Sequence, residues 1–412
     1  LALAVARPAT ASPRATALSA VRHVFVLTLE NKNFDHTFGP STPAPYLGQT
    51  LPSQGQLLTQ YFGIGHQSLD NYVAMVSGQA PNPVTQADCQ TFADFVPPAP
   101  VLDPSGQAVG QGCVFPAGVP TLMDQLDHAG LSWRGYMDDM KTPCRHPALN
   151  AHDDTQSAKV GDQYAARHNP FVYFHGVIDD DAACKSHVVD LTQLPTDLAS
   201  AASTPNFSFI SPSLCNDGHD APCVDGRPGG LVSIDAFLQQ WVPKILGSPA
   251  FKQDGMLVIT FDEAEFGATA SAAACCGEAP GPNSALPGIN GPGGGRVGAV
   301  VLSPFTTPGT TNTTPYNHYA LLRTVEDVFG LDHIGFAAAS GLRSFGDDVL
   351  GAGAAAPSTS ATATTASASA SSSPARSLAA TGRTLPSVLV IAAAAVLAFL
   401  LVFRLVRTRR SV

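Results

Sequence analysis

The sequence predicts an α/β fold with a mostly parallel central sheet flanked by helices, and three observations predict it. Between residues 21 and 350, short apolar runs alternate with amphipathic segments, the order expected when helices cross between parallel strands. The leading run, residues 24–29, is apolar and β-branched almost throughout rather than alternating, as strands buried on both faces are. Long Gly- and Pro-rich connections separate the elements, and the 412 residues include 37 glycines and 34 prolines, both above ordinary usage. Such a length supports a single large domain whose core needs no staples.

Taken in order, residues 24–29 form the first strand. Residues 69–77 read as a helix closed by Gly78. Pro120 marks the start of another, with Leu122, Met123 and Leu126 on its apolar face and Gly130 at its end. Residues 207–210, 256–261 and 297–302 are further strands. Residues 234–245 and 319–329 are amphipathic helices, the second closed by Gly330. The stretches 79–118 and 264–295 are long insertions, of a length that compact domains use for functional or mobile loops. There is no internal repeat.

Composition narrows the partners. Lys and Arg total 22 against 32 Asp and Glu, a formal charge of −10, and no basic block interrupts the globular part. Nucleic acid is excluded as the main partner, because phosphate neutralisation needs clustered Lys and Arg. The eight cysteines suit an exported, disulfide-forming protein, and the absence of C-x-x-C argues against a zinc knuckle. Proximity in sequence pairs Cys89 with Cys113 and Cys215 with Cys223, leaving Cys144 with Cys184. Whether the adjacent Cys275 and Cys276 pair with each other stays open.

The termini place the domain outside a cell. Residues 1–20 read as the remnant of an export signal and a linker. Residues 351–377 are nearly all small or polar and predict a disordered stalk, since they cannot bury enough apolar surface to offset chain entropy. Leu378-Ala379-Ala380-Thr381-Gly382 then precedes an apolar run, 385–403, followed by Arg404, Arg407, Arg409 and Arg410. The run is long enough to cross a bilayer, and its basic tail stays cytoplasmic. Pentapeptide, span and tail together resemble a sortase cell-wall sorting signal of the L-A-x-T-G form used by high-GC Gram-positive bacteria. That resemblance implies cleavage between Thr381 and Gly382 and attachment to peptidoglycan, with sortase as a partner; a plain C-terminal membrane anchor is the alternative.

Candidate chemistry sits where strands end, because ligands of open α/β sheets bind beyond the carboxyl ends of their strands. The first strand ends in Glu30-Asn31 and the strand 256–261 ends in Asp262-Glu263. Hard oxygen donors gathered from two strand ends call for a divalent cation, which offsets the repulsion of carboxylates in a partly dry site. Ser68 stands at a helix start, where free N–H groups and the helix dipole favour an anion, and a hydroxyl there beside a cation is a candidate nucleophile. Asn216-Asp217-Gly218-His219-Asp220 follows a strand and Asn317-His318-Tyr319 precedes the last helix. Both histidines are expected on loops at the rim, able to hold phosphate oxygens or protonate a leaving oxygen.

The string Glu30-Asn31-Lys32-Asn33-Phe34-Asp35-His36-Thr37-Phe38-Gly39 resembles the opening E-N-x-x-F-D-H-x-F-G signature of the bacterial phosphoesterase family, which includes phospholipases C and acid phosphatases. The likeness continues through Ser68-Leu69-Asp70-Asn71-Tyr72, residues 131–137, His168-Asn169-Pro170-Phe171, residues 211–220, Thr260-Phe261-Asp262-Glu263 and residues 318–327. It implies an alkaline-phosphatase-like fold and a divalent metal of unknown identity held by Glu30, Asn31, Ser68, Asp262 and Glu263. It further implies that Ser68 forms a phosphoseryl intermediate, that Asp217, His219 and His318 complete the phosphate site, and that His66 and Asn71 neighbour it. The phospholipase C branch carries D-E-x-x-G-x-x-D-H-V, whereas here Asp262-Glu263-Ala264-Glu265-Phe266-Gly267 lacks the Asp-His-Val continuation, and Asp70 replaces a proline common in the serine motif. The expectation is therefore an exported phosphomonoesterase acting on phosphate esters. A phospholipase C and a catalytically inactive wall-displayed binding protein are the alternatives.

Overall fold

A computed structural model of the chain describes residues 17–266 and 272–351. Its strands are β1 (His23–Leu29), β2 (Gln56–Leu58), β3 (Tyr61–Phe62), β4 (Trp133–Met137), β5 (Val188–Asp190), β6 (Phe207–Ser211), β7 (Gly255–Phe261), β8 (Ala299–Leu302), β9 (Thr310–Asn312) and β10 (Tyr316–Asn317). Eight of them form one sheet in the order β5-β4-β6-β1-β7-β8-β2-β9, while β3 and β10 make a separate parallel pair. From β5 to β7 every pairing is parallel. Only β8 runs against its neighbours, having been returned by the long loop after β7 instead of by the crossover a parallel strand needs. The mostly parallel α/β architecture is thus as the sequence predicts.

Each residue of β1, β6 and β7 is buried, which is why these strands read as mostly apolar runs without alternation in β1 and β7. The helix Ser68–Ser77 is buried along its whole length and ends at Gly78, whose φ of +64° is the left-handed conformation that glycine adopts freely. It packs against the helix His318–Phe329, capped by the Asn317 side chain, which accepts from Ala320 N at 2.8 Å. Several boundaries move, mostly by one residue, and the predicted strand 297–302 begins at Ala299. Thr121 and Asp124 form a reciprocal capping box that starts the helix Leu122–His128 just after Pro120. The predicted helix 234–245 extends to Gly230–Gly247. The strands β2, β3, β5, β9 and β10 have two or three residues each, too few to show a period in sequence.

The exclusion of residues 1–20 from the fold overshoots, because Ala17 is buried in the core and Leu18 and Ala20 pack against it. The three expected disulfides form, with Cα separations of 5.9 Å for Cys89–Cys113, 5.5 Å for Cys144–Cys184 and 5.2 Å for Cys215–Cys223. Cys275 and Cys276 pair with each other. Among the described residues no helix is long and apolar enough to cross a membrane; the predicted span 385–403, the stalk and the pentapeptide Leu378 to Gly382 lie outside the described residues.

The insertion 79–118 contains only one short helical turn and isolated bridges; it is closed covalently by Cys89–Cys113 and by hydrogen bonds such as Ala108 N to Gln79 Oε1 at 2.7 Å and Asn82 Nδ2 to Gly112 O at 2.9 Å. Replacing both cysteines by alanine is expected to lower stability by roughly 3 kcal/mol, from lost loop-closure entropy. Urea unfolding checks this, and an unchanged midpoint would show the loop to be held by its packing alone.

Candidate active site

Two neighbouring parallel strands, β1 and β7, and the loop after a third, β6, deliver one carboxylate each to the same crevice. The register pairs Leu29 with Phe261, so Glu30 and Asp262 leave the sheet at the same level. Backbone bonds tie the exits together: Asp262 N donates to Leu29 O and Glu30 N to Asp217 O, each at 2.9 Å. Asn31 N then donates to Asp262 Oδ1 at 3.0 Å. Asn31 has φ +56°, a left-handed turn that asparagine tolerates better than most residues. Lys32 Nζ reaches Asn31 O and Gly218 O, both at 3.0 Å, clasping the β1 and β6 exits. Glu30, Asp217 and Asp262 are fully buried.

Ser68 enters from a third direction as the first residue of its helix. Its Oγ donates to Glu30 Oε2 at 2.9 Å. Asn31 Nδ2 donates to the same oxygen at 2.7 Å. The turn before it is tightly held. Gln67 has φ +88°, and its N–H donates to Glu263 Oε2 at 2.9 Å, the oxygen that also lies 2.8 Å from His66 Nδ1. Asn71 accepts from Ile64 N at 2.7 Å and Gly65 N at 3.1 Å and donates to Gly65 O at 3.0 Å. Gly63 passes so close to the β7 exit that a Cβ would lie 2.7 Å from Asp262 O. Glu263, His66 and Asn71 therefore shape the nucleophile's turn, with Oε2 of Glu263 engaged there.

Burial raises Glu30 and Asp217 well above the usual carboxylate range, and the neighbouring Asp262 charge adds to both. Asp262 is pushed up to about 6, chiefly by burial and against the N–H groups of Asn31 and Glu263. Its Oδ2 has no hydrogen-bond partner among the described residues. Three dry carboxylates with an unpartnered oxygen fit a divalent cation, whose hard charge removes the cost of ionising them together. Glu30, Asn31, Ser68 and Asp262 are candidate oxygen donors for it. A second grouping is Glu30, His168 and Asp217, whose donor atoms lie within 4.8 Å of one another.

The two predicted histidines differ from expectation. His318 is not on a rim loop. It is fully buried as the first residue of its helix, with Nε2 donating to Asp262 O at 2.5 Å and Nδ1 accepting from Tyr61 OH at 3.1 Å. Burial lowers its pKa to about 4, so the ring is a neutral prop under the Asp262 backbone. His219 does stand on a loop, its side chain 34% exposed. Its N–H donates to Asp217 Oδ1 at 2.8 Å, and its ring lies between Asp220 Oδ1 at 2.8 Å and Arg167 Nη2 at 3.1 Å.

Residues outside the sequence-based set complete the site. Tyr72 OH donates to Glu30 Oε1 at 2.8 Å, and His168 stacks on the Tyr72 ring. Buried Arg167 favours the ionised forms of Glu30 and Asp217. Asp88 accepts from Leu69 N at 3.0 Å, at the start of the nucleophile's helix. Tyr72 had a readable signal, being four residues after Ser68 and so on the same helix face. Arg167 and Asp88 had none, because only tertiary folding brings them here.

Comparisons with known proteins follow the same direction. The phosphoesterase family model matches residues 41–332, which include Ser68, Asp217, Asp262 and His318 but begin after Glu30. The chain is 27% identical over 307 residues to a phosphate-repressible acid phosphatase of Penicillium chrysogenum, covering 74% of this chain and 58% of that protein. A probable acid phosphatase of Kluyveromyces lactis is 23% identical over 77% of this chain and 60% of its own length. A phosphatidylinositol-3-phosphatase of Mycobacterium tuberculosis is 24% identical over 78% of this chain and 82% of its own. The chain thus spans between half and two thirds of the length of the first fungal relatives. Similar solved structures include an alkaline phosphatase superfamily protein from Vibrio parahaemolyticus, at TM-score 0.45 and 12% identity, covering 76% of this chain and 67% of that one.

Because Glu263 holds the Gln67 N–H, Glu263→Gln is expected to disturb the turn rather than the carboxylate cluster. Turnover of phosphate esters should fall by roughly 100-fold, the scale of a small misplacement of a reacting group, while bound metal per chain stays as in the wild type. Loss of the metal from this variant would place Glu263 among its ligands.

Proposed function

This chain belongs to the phosphoesterase family, and on that footing we propose that it is an exported, divalent-metal-dependent phosphomonoesterase acting through a phosphoseryl intermediate on Ser68. One observation carries the reading: the Ser68 hydroxyl, at the start of a buried helix, donates to Glu30 Oε2 at 2.9 Å inside a cluster of carboxylates from two strand ends and the loop after a third. A serine that only capped a helix would bond to its own turn. Here it points at the carboxylates.

Held by Glu30, Asn31 and Asp262, the cation supplies the positive charge that favours ionisation of the serine and offsets charge on the phosphoryl oxygens. The Ser68 proton passes to solvent as Oγ attacks phosphorus and the bond to the leaving oxygen breaks. The dipole of the helix that Ser68 begins favours negative charge on the phosphoryl oxygens at its start. His219, held between Asp220 and Arg167, borders the open side, where the leaving oxygen takes its proton from solvent. Water then attacks the phosphoserine, Ser68 Oγ recovers a proton, and inorganic phosphate departs. Asp217, holding His219 N, and His318, holding Asp262 O, keep the loops in place.

Two observations favour a monoester. The segment after Glu263 lacks the Asp-His-Val continuation of the phospholipase branch, and the relatives reported above are named as phosphatases. The four disulfides support export to an oxidising compartment, and the order of pentapeptide, apolar run and basic tail supports anchoring to the cell surface through sortase.

Phosphate release from p-nitrophenyl phosphate and from phospholipids tests the reading. Monoester turnover should be abolished by chelation and restored by added metal, and Ser68→Ala should lower it by at least about 1,000-fold, as loss of a covalent nucleophile does. Turnover that survives both treatments contradicts the proposal, and release of a phosphorylated headgroup without inorganic phosphate would show a phosphodiesterase instead.

A further inference from the structure

The two oxygens of Glu30 live in different surroundings. Oε2 takes the Ser68 hydroxyl and the Asn31 amide, the side on which chemistry is assigned. Oε1 takes the Tyr72 hydroxyl at 2.8 Å and lies 3.3 Å from His168 Nε2. A carboxylate is symmetric about its last bond, so nothing in glutamate itself keeps the two roles apart. Something must hold the group against rotation.

Resting on the metal-dependent reading above, we propose that Tyr72, His168 and Asp217 form a positioning chain that reserves Oε1 of Glu30 and so presents Oε2 to Ser68 and the cation. Each link is built rather than incidental. Tyr72 is fully buried and sits one turn after Ser68 on the same helix, so nucleophile and lock move as one body. Its ring lies parallel to His168, with centroids 5.3 Å apart and planes 4° apart, and meets Phe209 of β6 at 6.1 Å. The His168 ring is in turn fixed by Asp217, whose Oδ2 is 3.0 Å from Nδ1. Asp217 closes the circuit, since its backbone oxygen accepts from Glu30 N. The ring is thus anchored to the strand end that carries the carboxylate it orients.

The close approach of Glu30, His168 and Asp217 invites the rival view that His168 is itself a ligand. His168 Nδ1 donates to Asp217 Oδ2, the phenol occupies Oε1 and Tyr72 covers the imidazole face, while Nε2 is buried without a hydrogen-bond partner among the described residues, so the His168→Gln arm below decides between brace and ligand. Buried hydrogen-bond partners of this kind orient metal-binding carboxylates and set their affinity.

The test is manganese binding by calorimetry to the full chain, with the wild type, Tyr72→Phe, His168→Gln and the double variant. Tyr72→Phe removes one oxygen and keeps the stacked ring. It should weaken manganese binding by about 10- to 100-fold, the usual effect of losing such a partner. The melting temperature of the metal-free protein should stay close to wild type, and kcat should fall more than KM rises. His168→Gln should weaken binding to a similar degree, and the double variant little further, because both act through Oε1. Manganese affinity unchanged in Tyr72→Phe overturns the proposal. So does loss of binding in His168→Gln alone, which would make His168 a ligand, or a Tyr72→Phe chain that cannot fold. A wild type that binds no manganese but still hydrolyses monoesters would overturn the metal-dependent reading and this assignment with it, whereas an unaffected Tyr72→Phe beside a metal-binding wild type overturns only the assignment.

Discussion

Burying Glu30 and Asp262 at the ends of two neighbouring parallel strands, beside Asp217 on the loop after a third, creates an electrostatic cost that the rest of the molecule is arranged around. Each carboxylate is fully buried and made harder to ionise by that burial, and the Asp262 charge adds to the effect at Glu30 and Asp217. A site that only had to be stable would put apolar or paired groups there. Retaining three acids, one with an unpartnered oxygen, makes sense when a cation completes the set. The sheet supplies the rigidity, because backbone bonds between the strand exits leave the carboxylates little freedom to move apart.

Around that cluster, support is divided among elements that do not touch the reacting atoms. Glu263, His66 and Asn71 hold the turn into the nucleophile's helix, with Gln67 kept at φ +88°, a conformation that needs outside support. His318 and Tyr61 prop the backbone of Asp262. Tyr72, His168 and Asp217 brace Glu30. Arg167 contributes buried positive charge near Glu30 and Asp217, and its contact with His219 links that charge to the one histidine of the site that faces outward.

Much of this was readable in the chain. The apolar runs that end in Glu30-Asn31 and Asp262-Glu263 report both the buried strands and the acids at their exits, since a strand buried on two faces leaves no other place for a carboxylate. Ser68 at a helix start was readable for a similar local reason, and the three longer disulfides followed from spacing. What was hidden depends on contacts between distant segments. His318 reads as a rim residue in sequence, yet β10 pairs with β3 and carries it under Asp262. His66, Asn71 and Glu263 lie beside reactive positions in sequence but direct their polar atoms into the scaffold. The role of His168 depends on a ring nearly 100 residues earlier in the chain, and no local pattern encodes such a stack. The shortest strands were invisible because two or three residues cannot display a period.

The most direct measurement is a crystal structure of the manganese-loaded chain with anomalous data collected near the manganese edge. The account predicts one strong peak bounded by Glu30 Oε2, Asp262 and the Ser68 hydroxyl, at the roughly 2.0–2.2 Å typical of small divalent ions with oxygen ligands. A peak centred on His168 and Asp217 instead, or none within the carboxylate cluster, would contradict it.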